Sequence, residues 1–390
     1  MSDRPRIAVI GAGVIGASIG YHLSMDGCDV LLVGPAATPQ PPMASWASAG
    51  GLKFQRIEAE TARLTLLSSR RWPRLAEELD SDIGLRLWGS LDLATSAEDL
   101  PRLQAQLESD RARGMQVDHL SGGDFAEVGA QVSPLVAAGN FVPSGGQADP
   151  WATTTAFLEA SSRRGARILA AEVRGLMVEA GSVTGLITAD GREGADLVVV
   201  AAGHWSAGLV REAGVELPLR PAGAHMLLSG PVPQTLYPTL SAVGRLLSIK
   251  QLPSKEVMIG GGWPATVDDD GKTCRTRPES VAGNLQCAAA VAPWTGGLEL
   301  EHAWCGIDGE TPDLLPLIGP VAELPGLYLA TGFSLGGFQL APAVGRLVGD
   351  EILGGAAQGG LSGLRPSRFG SFEPGWLSSF QRTQRDTPKW

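Results

Sequence analysis

A glycine-rich turn close to the beginning of the chain constrains the fold more than any other feature. The sequence GAGVIG, at residues 11–16, follows a short β-branched run at residues 6–10. It opens a helix-like stretch that extends to about Met25, and a second apolar run, Asp29–Val33, comes next. Strand, helix and strand in this order form a βαβ unit, which predicts an α/β fold.

The three glycines of this turn have separate roles when a dinucleotide binds. Gly11 permits the tight turn, Gly13 lets the backbone approach a pyrophosphate, and Gly16 allows the helix to pack closely on the strand. The helix N-terminus, at Val14 and Ile15, attracts the phosphates through its dipole. A dinucleotide site is therefore favoured over a merely glycine-rich turn. An NAD(P)-dependent dehydrogenase would use the same unit, so the turn alone leaves the cofactor open.

One expected element of such a site is missing. An acidic residue at the end of the second strand usually hydrogen-bonds the ribose hydroxyls. The sequence there reads VLLVGPAA, with Gly34 in place of the acid. Two interpretations stay open: backbone and water replace the contact, or cofactor affinity is reduced or assisted by a partner.

Composition and charge exclude several classes of function. A chain of 390 residues suits two domains, and its net charge of −10 repels nucleic acid and anionic lipid surfaces. The apolar stretch Ile7–Leu23 is interrupted by glycines, so we expect neither a membrane span nor a targeting segment. The four cysteines, Cys28, Cys274, Cys287 and Cys305, form no CxxC pair. That spacing favours reduced thiols in a cytoplasmic protein over a metal site or a disulfide framework.

Several segments, taken in order, resemble the D-amino-acid oxidase-like (DAO) family of flavoproteins. They are ASWASAGGL at residues 44–52, AEVRGL at 171–176, LVVVAAGHWS at 197–206, the closing block at 304–355, and LRPSRF at 364–369. Within the family, the sequences of these segments are most similar to those of glycine and sarcosine oxidases and of the flavin subunits of opine, hydroxyproline and proline dehydrogenases.

The resemblance implies a non-covalently bound FAD. Cys305 lies near the place where certain sarcosine oxidases tether the flavin, but one residue out of register. The loop SLGG and the helix after it could stabilise negative charge on the flavin pyrimidine ring. Besides the residues of the first turn, the resemblance implies these cofactor contacts: Ser45, Ala49, Gly50, Gly51, Val173, Ala202, Gly203, Gly332, Gly336, Gly337, Phe338 and Gln339.

The family resemblance also implies how the chain is divided. We expect a Rossmann-like FAD-binding domain of the glutathione-reductase type, interleaved with an α+β substrate domain that contains a mixed β-sheet. The FAD-binding domain would be discontinuous, made of residues 1–80, 140–215 and 301–365. Residues 81–139 and 216–300 would form the substrate domain, and 366–390 a C-terminal tail.

The family's chemistry is the removal of a hydride from the carbon that bears an amine, which gives an imine. The cofactor performs this step, so no general base is obligatory. One alternative is an accessory flavin subunit of a hetero-oligomeric dehydrogenase. Relatives of that kind pass electrons to iron–sulfur subunits, and because this chain has no cysteine cluster, such a centre would lie on a partner.

Relatives that oxidise glycine-like substrates hold the carboxylate with two arginines. The corresponding positions here are Asp308 and Leu335 or Gly336, so both arginines are absent. Asp308 and Glu310 could instead receive a cationic amine, and Met258 occupies a strand position where some oxidases carry a lysine that activates oxygen. Four cationic residues and one histidine could replace the arginines as ligands of the carboxylate: Lys53, Arg56, His225, Arg245 and Lys250.

Overall fold

The computed structural model describes residues 4–36, 38–55, 59–355 and 360–370. Its strands, in chain order, are β1 (Arg6–Ile10), β2 (Asp29–Gly34), β3 (Gly51–Leu52), β4 (Ser90–Ala94), β5 (Asp118–Leu120), β6 (Ala138–Val142), β7 (Gly146–Gln147), β8 (Arg167–Ala170), β9 (Val173–Glu179), β10 (Ser182–Thr188), β11 (Arg192–Gly194), β12 (Leu197–Val200), β13 (Arg220–Pro231), β14 (Thr239–Ala242), β15 (Ser248–Gln251), β16 (Glu256–Gly260), β17 (Pro264–Val267), β18 (Cys274–Arg275), β19 (Leu300–Glu310), β20 (Leu317–Pro320) and β21 (Leu327–Thr331). Its α-helices are α1 (Val14–Met25), α2 (Ala44–Ala47), α3 (Ala59–Glu78), α4 (Leu100–Ala112), α5 (Asp124–Glu127), α6 (Pro150–Arg163), α7 (Ser206–Arg211), α8 (Pro278–Val291) and α9 (Gly337–Ile352).

The predicted βαβ unit lies at the centre of a six-stranded sheet with the order β20-β21-β12-β1-β2-β8. Neighbours from β21 to β8 pair in parallel, and β20 pairs antiparallel with β21. Strands β1 and β12 are buried on both faces, as a central parallel strand must be. Helix α1 packs against both α6 and α9 over this sheet. We refer to this six-stranded sheet as the nucleotide sheet.

A larger, mixed sheet forms the second layer of the molecule. Its main path is β18-β17-β13-β16-β15-β14-β4-β6-β5, and β19 pairs with β13. It is mixed because β14 runs parallel to β4 whereas the other pairs are antiparallel. One face packs its apolar side chains against α8, and the side chains that alternate with them point towards the nucleotide sheet. The predicted α/β class with a mixed second sheet is confirmed.

Two strands fall in a different part of the molecule from the one that the sequence indicated. Strand β6 and strand β19 both belong to the larger sheet, although residues 140–215 and 301–365 were expected in the nucleotide-binding domain. The register from Arg220↔Glu310 to Ser229↔Leu300 explains this for β19, because antiparallel pairing with β13 holds the whole strand in that sheet. Of the expected tail, residues 366–369 form a 3-10 turn, and 371–390 lie outside the described residues.

Among the residues described, every helix is too short or too polar to span a lipid bilayer.

Helices α1 and α9 approach each other closely because small residues meet at their contact. The Ser18 hydroxyl donates a hydrogen bond of 2.8 Å to the Ala341 carbonyl. A Cβ atom added at Gly345 would overlap the side chain and the backbone of Ser18. Close contact here fixes α9, whose first turn faces the cavity described below.

We expect Gly345→Ala to lower the free energy of unfolding by about 2 kcal/mol, because overpacking a close contact forces backbone shifts. Gly349→Ala is the matched control, since a Cβ atom there would lie 3.6 Å from the Cβ atom of His22, an ordinary contact. The control should gain up to about 1 kcal/mol from helix propensity. Urea unfolding of the full-length chain measures both, and equal effects would contradict the packing argument.

Candidate active site

A cavity of about 1010 Å³ lies between the two sheets. It runs along the carboxyl ends of the parallel strands of the nucleotide sheet, where open α/β sheets bind their ligands. Its lining includes these predicted cofactor contacts: Gly11, Gly13, Val14, Ile15, Ser45, Ala49, Gly51, Val173, Ala202, Gly203, Gly332, Gly337, Phe338 and Gln339.

The first glycine-rich turn forms the middle of the cavity wall. Gly11 has φ +114°, and a Cβ atom there would overlap the Ala201 carbonyl. Gly16 does not line the cavity, because it packs against the Gly11 carbonyl, where a Cβ atom would also overlap. The Val14 amide donates to the Ser45 hydroxyl at 2.9 Å, which fixes Ser45 over the first turn of α1. Bare backbone and a helix N-terminus thus face a ligand, the arrangement that a pyrophosphate requires.

The missing ribose-binding acid has a packing cause. A Cβ atom at Gly34 would lie 2.8 Å from the Cβ atom of Ala12. The turn therefore sits directly on the end of β2, where an acidic side chain would have stood. Gln40, Glu172 and Arg174 bring polar groups to the lining of the cavity.

The loop before α9 uses its backbone donors within the protein. Ser334 and Leu335 both have positive φ, at 47° and 69°. The Ser334 amide donates to the Gly309 carbonyl at 3.2 Å, and the Gly336 amide donates to the Phe333 carbonyl at 2.8 Å. The expectation that this loop's amides face the flavin therefore needs correction. Gly336 lies outside the cavity lining, and the amides left for a ligand are those of the first turn of α9.

Gln339, in that first turn, accepts three hydrogen bonds, and its side-chain Nε2 is left without an acceptor among the described residues. Its side-chain oxygen accepts from the Lys53 amide at 3.1 Å, and its carbonyl accepts from Trp72 Nε1 at 2.9 Å and from the Ser68 hydroxyl at 2.5 Å. Its Nε2 is buried and has no hydrogen-bond partner among the described residues. Because Gln339 lines the cavity, a ligand with acceptor atoms, such as the flavin ring, would satisfy this donor.

Asp308, at a position where the family resemblance implied an arginine, holds the loop before α9. Its carboxylate accepts hydrogen bonds from the Gly309 amide at 2.8 Å and from the Leu335 amide. Glu310, the other expected partner for a cationic amine, is buried and pairs with Arg220 at 2.8 Å. Both carboxylates therefore have protein partners, and only Asp308 lines the cavity.

Polar side chains cross the larger sheet on the face that points towards the cavity. The register aligns Asp92 with Ser241 and Ser241 with Ser248. Asp92 is almost fully buried and pairs with Lys53 Nζ at 3.0 Å, and it accepts from the Ser241 hydroxyl at 2.9 Å. Sequence reasoning missed Asp92 and Ser241, because only the parallel pairing of β4 with β14 brings them together.

Arg245, between β14 and β15, also lines this end of the cavity. Its Nε donates to the Thr95 hydroxyl at 2.9 Å. In the described part of the chain no carboxylate lies within ion-pair distance of it, whereas Lys53 is neutralised by Asp92. Arg245 is thus positioned to bind an anion.

Of the remaining predicted substrate residues, His225 contributes to the cavity lining, but its side chain is directed away from the cavity. His225 is fully buried and points to α8, where its Nε2 contacts Asn284 Oδ1 at 3.1 Å. Burial lowers its pKa, which keeps the ring neutral. Lys250 donates to the Ala49 carbonyl from behind the cavity wall, and Met258 pairs with it across the sheet. Neither lines the cavity, and Arg56 is outside the described residues.

Two further cofactor predictions have structural positions. Gly50 packs at the Ala148 carbonyl, which a Cβ atom would overlap, and lies outside the lining. Cys305 pairs across the sheet with His225, and the Cys274 sulfur lies 3.7 Å from the carbonyl oxygen of the next residue, Gly306.

Comparison with known proteins agrees with the geometry. Residues 6–351 match the profile of the family described as FAD dependent oxidoreductase (DAO). A glycine oxidase of Geobacillus kaustophilus is 30% identical over 365 residues, which cover 90% of this chain and 94% of that protein. The crystal structure of glycine oxidase from Geobacillus kaustophilus has a TM-score of 0.80 at 28% identity, over 93% of this chain and 99% of the other. An L-proline dehydrogenase structure from P. horikoshii has a TM-score of 0.84 at 24% identity, over 95% and 98%, and shows the fold alone.

The residues that line the cavity suit FAD independently of the sequence comparisons. Bare glycine backbone and the α1 N-terminus suit the pyrophosphate, and the buried Nε2 of Gln339 offers an unsatisfied donor to the flavin ring. The predicted family and cofactor are confirmed, and the chain belongs to the DAO family of FAD dependent oxidoreductases.

Proposed function

We propose that the protein oxidises the C–N bond of a small amino acid or secondary amine that carries a carboxylate. Bound FAD would accept the hydride from the carbon beside nitrogen, and the nitrogen lone pair would form the C=N bond of an imine, which water then hydrolyses. The observation that carries the proposal is Arg245, a cation without a carboxylate partner in the described chain, at the substrate end of the flavin cavity. Similarity to glycine oxidases supports it.

Arg245 would replace the two family arginines as the carboxylate ligand. Its hydrogen bond to Thr95 fixes the guanidinium at one edge and leaves further donors for a carboxylate. Because the Lys53 ammonium is paired with Asp92, Arg245 gives this end of the cavity its excess positive charge. One anionic group on the substrate matches that charge.

The amine end of the substrate would lie against the apolar part of the wall. Met226, Leu247, Gly261 and Gly262 line the cavity there. Gly261 and Gly262 have no side chains, so room remains for an alkyl group on nitrogen or on the α-carbon. An apolar wall disfavours a charged ammonium, and the neutral amine is the form that can donate a hydride.

Anaerobic reduction of the flavin tests the proposal. Glycine, sarcosine, proline, hydroxyproline, D-amino acids and opines are each added to the holoprotein, and loss of the flavin absorbance is followed. We expect at least one of them to bleach the flavin. If none does, the protein is the alternative, an accessory flavin subunit, and activity should appear only after copurification with an electron-transfer subunit.

Arg245→Met should raise the substrate concentration for half-maximal reduction on the order of tenfold, the effect of losing one partly solvated charge pair. For an amine analogue without the carboxylate, the concentration for half-maximal reduction should be the same in the variant and the wild type. Arg102→Met, near Gly244 on the same side of the molecule but outside the cavity lining, is the matched control. Arg56→Met is measured in parallel, and an effect confined to that variant would contradict the role of Arg245.

A further inference from the structure

Two thiols from distant parts of the sequence meet beside the cavity wall. Cys274 lies on β18 and Cys305 on β19, two strands that contact each other. The Cys274 sulfur also lies 3.7 Å from the Gly306 carbonyl oxygen. Both are partly exposed, whereas Cys28 and Cys287 are buried. An oxidant in solution can therefore reach this pair and not the other two thiols.

The contact makes the two thiols chemically different. The proximity of Cys274 lowers the pKa of Cys305, whereas the same proximity and burial raise the pKa of Cys274, whose thiol donates to the Gly306 carbonyl. A thiolate is the nucleophile in thiol oxidation. Cys305 is thus the thiol that reacts first, and Cys274 is held protonated next to it.

We propose that Cys274 and Cys305 form a reversible redox pair that a hydroperoxide oxidises to a disulfide. The Cys305 thiolate attacks the peroxide oxygen, the O–O bond breaks, and a sulfenic acid forms with release of water or an alcohol. Cys274 then attacks the sulfenic sulfur, its proton leaves with the hydroxyl group as water, and the S–S bond closes. Two thiols lose two electrons and the peroxide gains them. A dithiol reductant reverses the reaction by exchange.

The bond would join two pieces of the cavity wall. Strand β18 follows a turn at residues 268–273 whose Lys272 lines the cavity. The Gly271 carbonyl of that turn accepts a hydrogen bond of 2.7 Å from His204, after the predicted glycine Gly203. On the other side, Gly306 and Ile307 follow Cys305 and also line the cavity. The disulfide would therefore hold the turn to β19 and slow the release of FAD.

The test treats the holoprotein with limited hydrogen peroxide. Free thiols are then alkylated, and the protein is digested without reduction and mapped by mass spectrometry. We expect the free thiols to fall from the four of the sequence by two, with one cross-linked peptide pair that contains Cys274 and Cys305. Dithiothreitol should restore all of them. Cys28 and Cys287 are internal controls and should stay alkylated.

Cys274→Ser and Cys305→Ser separate the two roles. Cys305→Ser should lose peroxide consumption, whereas Cys274→Ser should still react and stop at the sulfenic acid, which a dimedone probe labels. A sulfinic acid in the wild-type protein, an intermolecular disulfide, or no cross-link would overturn the proposal. An FAD release rate that is equal in the oxidised wild type and in Cys274→Ser would overturn the consequence assigned to the bond.

Discussion

Gly11→Ala is expected to yield protein that binds FAD on the order of 100-fold more weakly, a loss of about 3 kcal/mol. Two effects act together at this position. The backbone has φ +114°, which residues other than glycine rarely adopt, and the new Cβ atom would overlap the Ala201 carbonyl at the end of β12. The turn must then move away from the parallel strands, and the α1 N-terminus moves with it. Titration of apoprotein with FAD, followed by flavin fluorescence, measures the change.

Gly123→Ala serves as the control for this prediction. Gly123 has φ −70° and no atom within 4 Å of an added Cβ, and it lies outside the cavity lining. The affinity of the Gly123→Ala variant for FAD should equal that of the wild type. If Gly11→Ala also matched the wild type, the close approach of the turn to β12 would not determine cofactor binding.

Lys250→Met should change how stability depends on pH. Burial lowers the pKa of Lys250 from 10.5 to about 8. Between these pH values the unfolded chain binds a proton that the folded chain lacks, so stability rises with pH across this window. The destabilising contribution of Lys250 is complete below pH 8 and absent above pH 10.5. The difference in unfolding free energy between the variant and the wild type should therefore shift by on the order of 3 kcal/mol between about pH 7 and pH 10.5.

The variant should be at its most favourable, relative to the wild type, at the low end of this pH range. Its lost hydrogen bond to the Ala49 carbonyl adds an offset that does not depend on pH, so the slope is the diagnostic quantity. Lys255→Met, at an exposed lysine nearby, should leave the pH profile unchanged. Parallel profiles for Lys250→Met and the wild type would show that Lys250 titrates normally in the folded protein.

The cofactor end could be predicted because local sequence determines its geometry. A tight turn beside a buried strand needs glycine at Gly11, whose φ is +114°, and at Gly16, where a Cβ atom would overlap the Gly11 carbonyl. The predicted loop contact that needed correction has a cause outside any short motif. Gly336 follows Ser334 and Leu335, which have positive φ. Their amides donate to the Gly309 carbonyl and the Asp308 carboxylate, and both acceptors belong to β19.

The substrate end could not be predicted in the same way. It depends on which residues alternate to which face of the larger sheet and on pairing between segments far apart in sequence. His225 and Met226 are adjacent, yet His225 points to α8 while Met226 lies on the opposite face. Asp92 meets Ser241 only through the pairing of β4 with β14, and its ion pair with Lys53 joins β4 to the residue that follows β3.

The strand order of the nucleotide sheet has a consequence for how the protein is made. Strand β1 is synthesised first, but it pairs with β12, and β12 pairs in turn with β21 near the other end of the chain. Helix α9, which carries Gln339, comes later still. Contacts of such long sequence separation form slowly, and here they cannot form before β21 has emerged from the ribosome. FAD capture should therefore wait until α9 has been synthesised, and nascent chains that stop before α9 should emerge without the flavin.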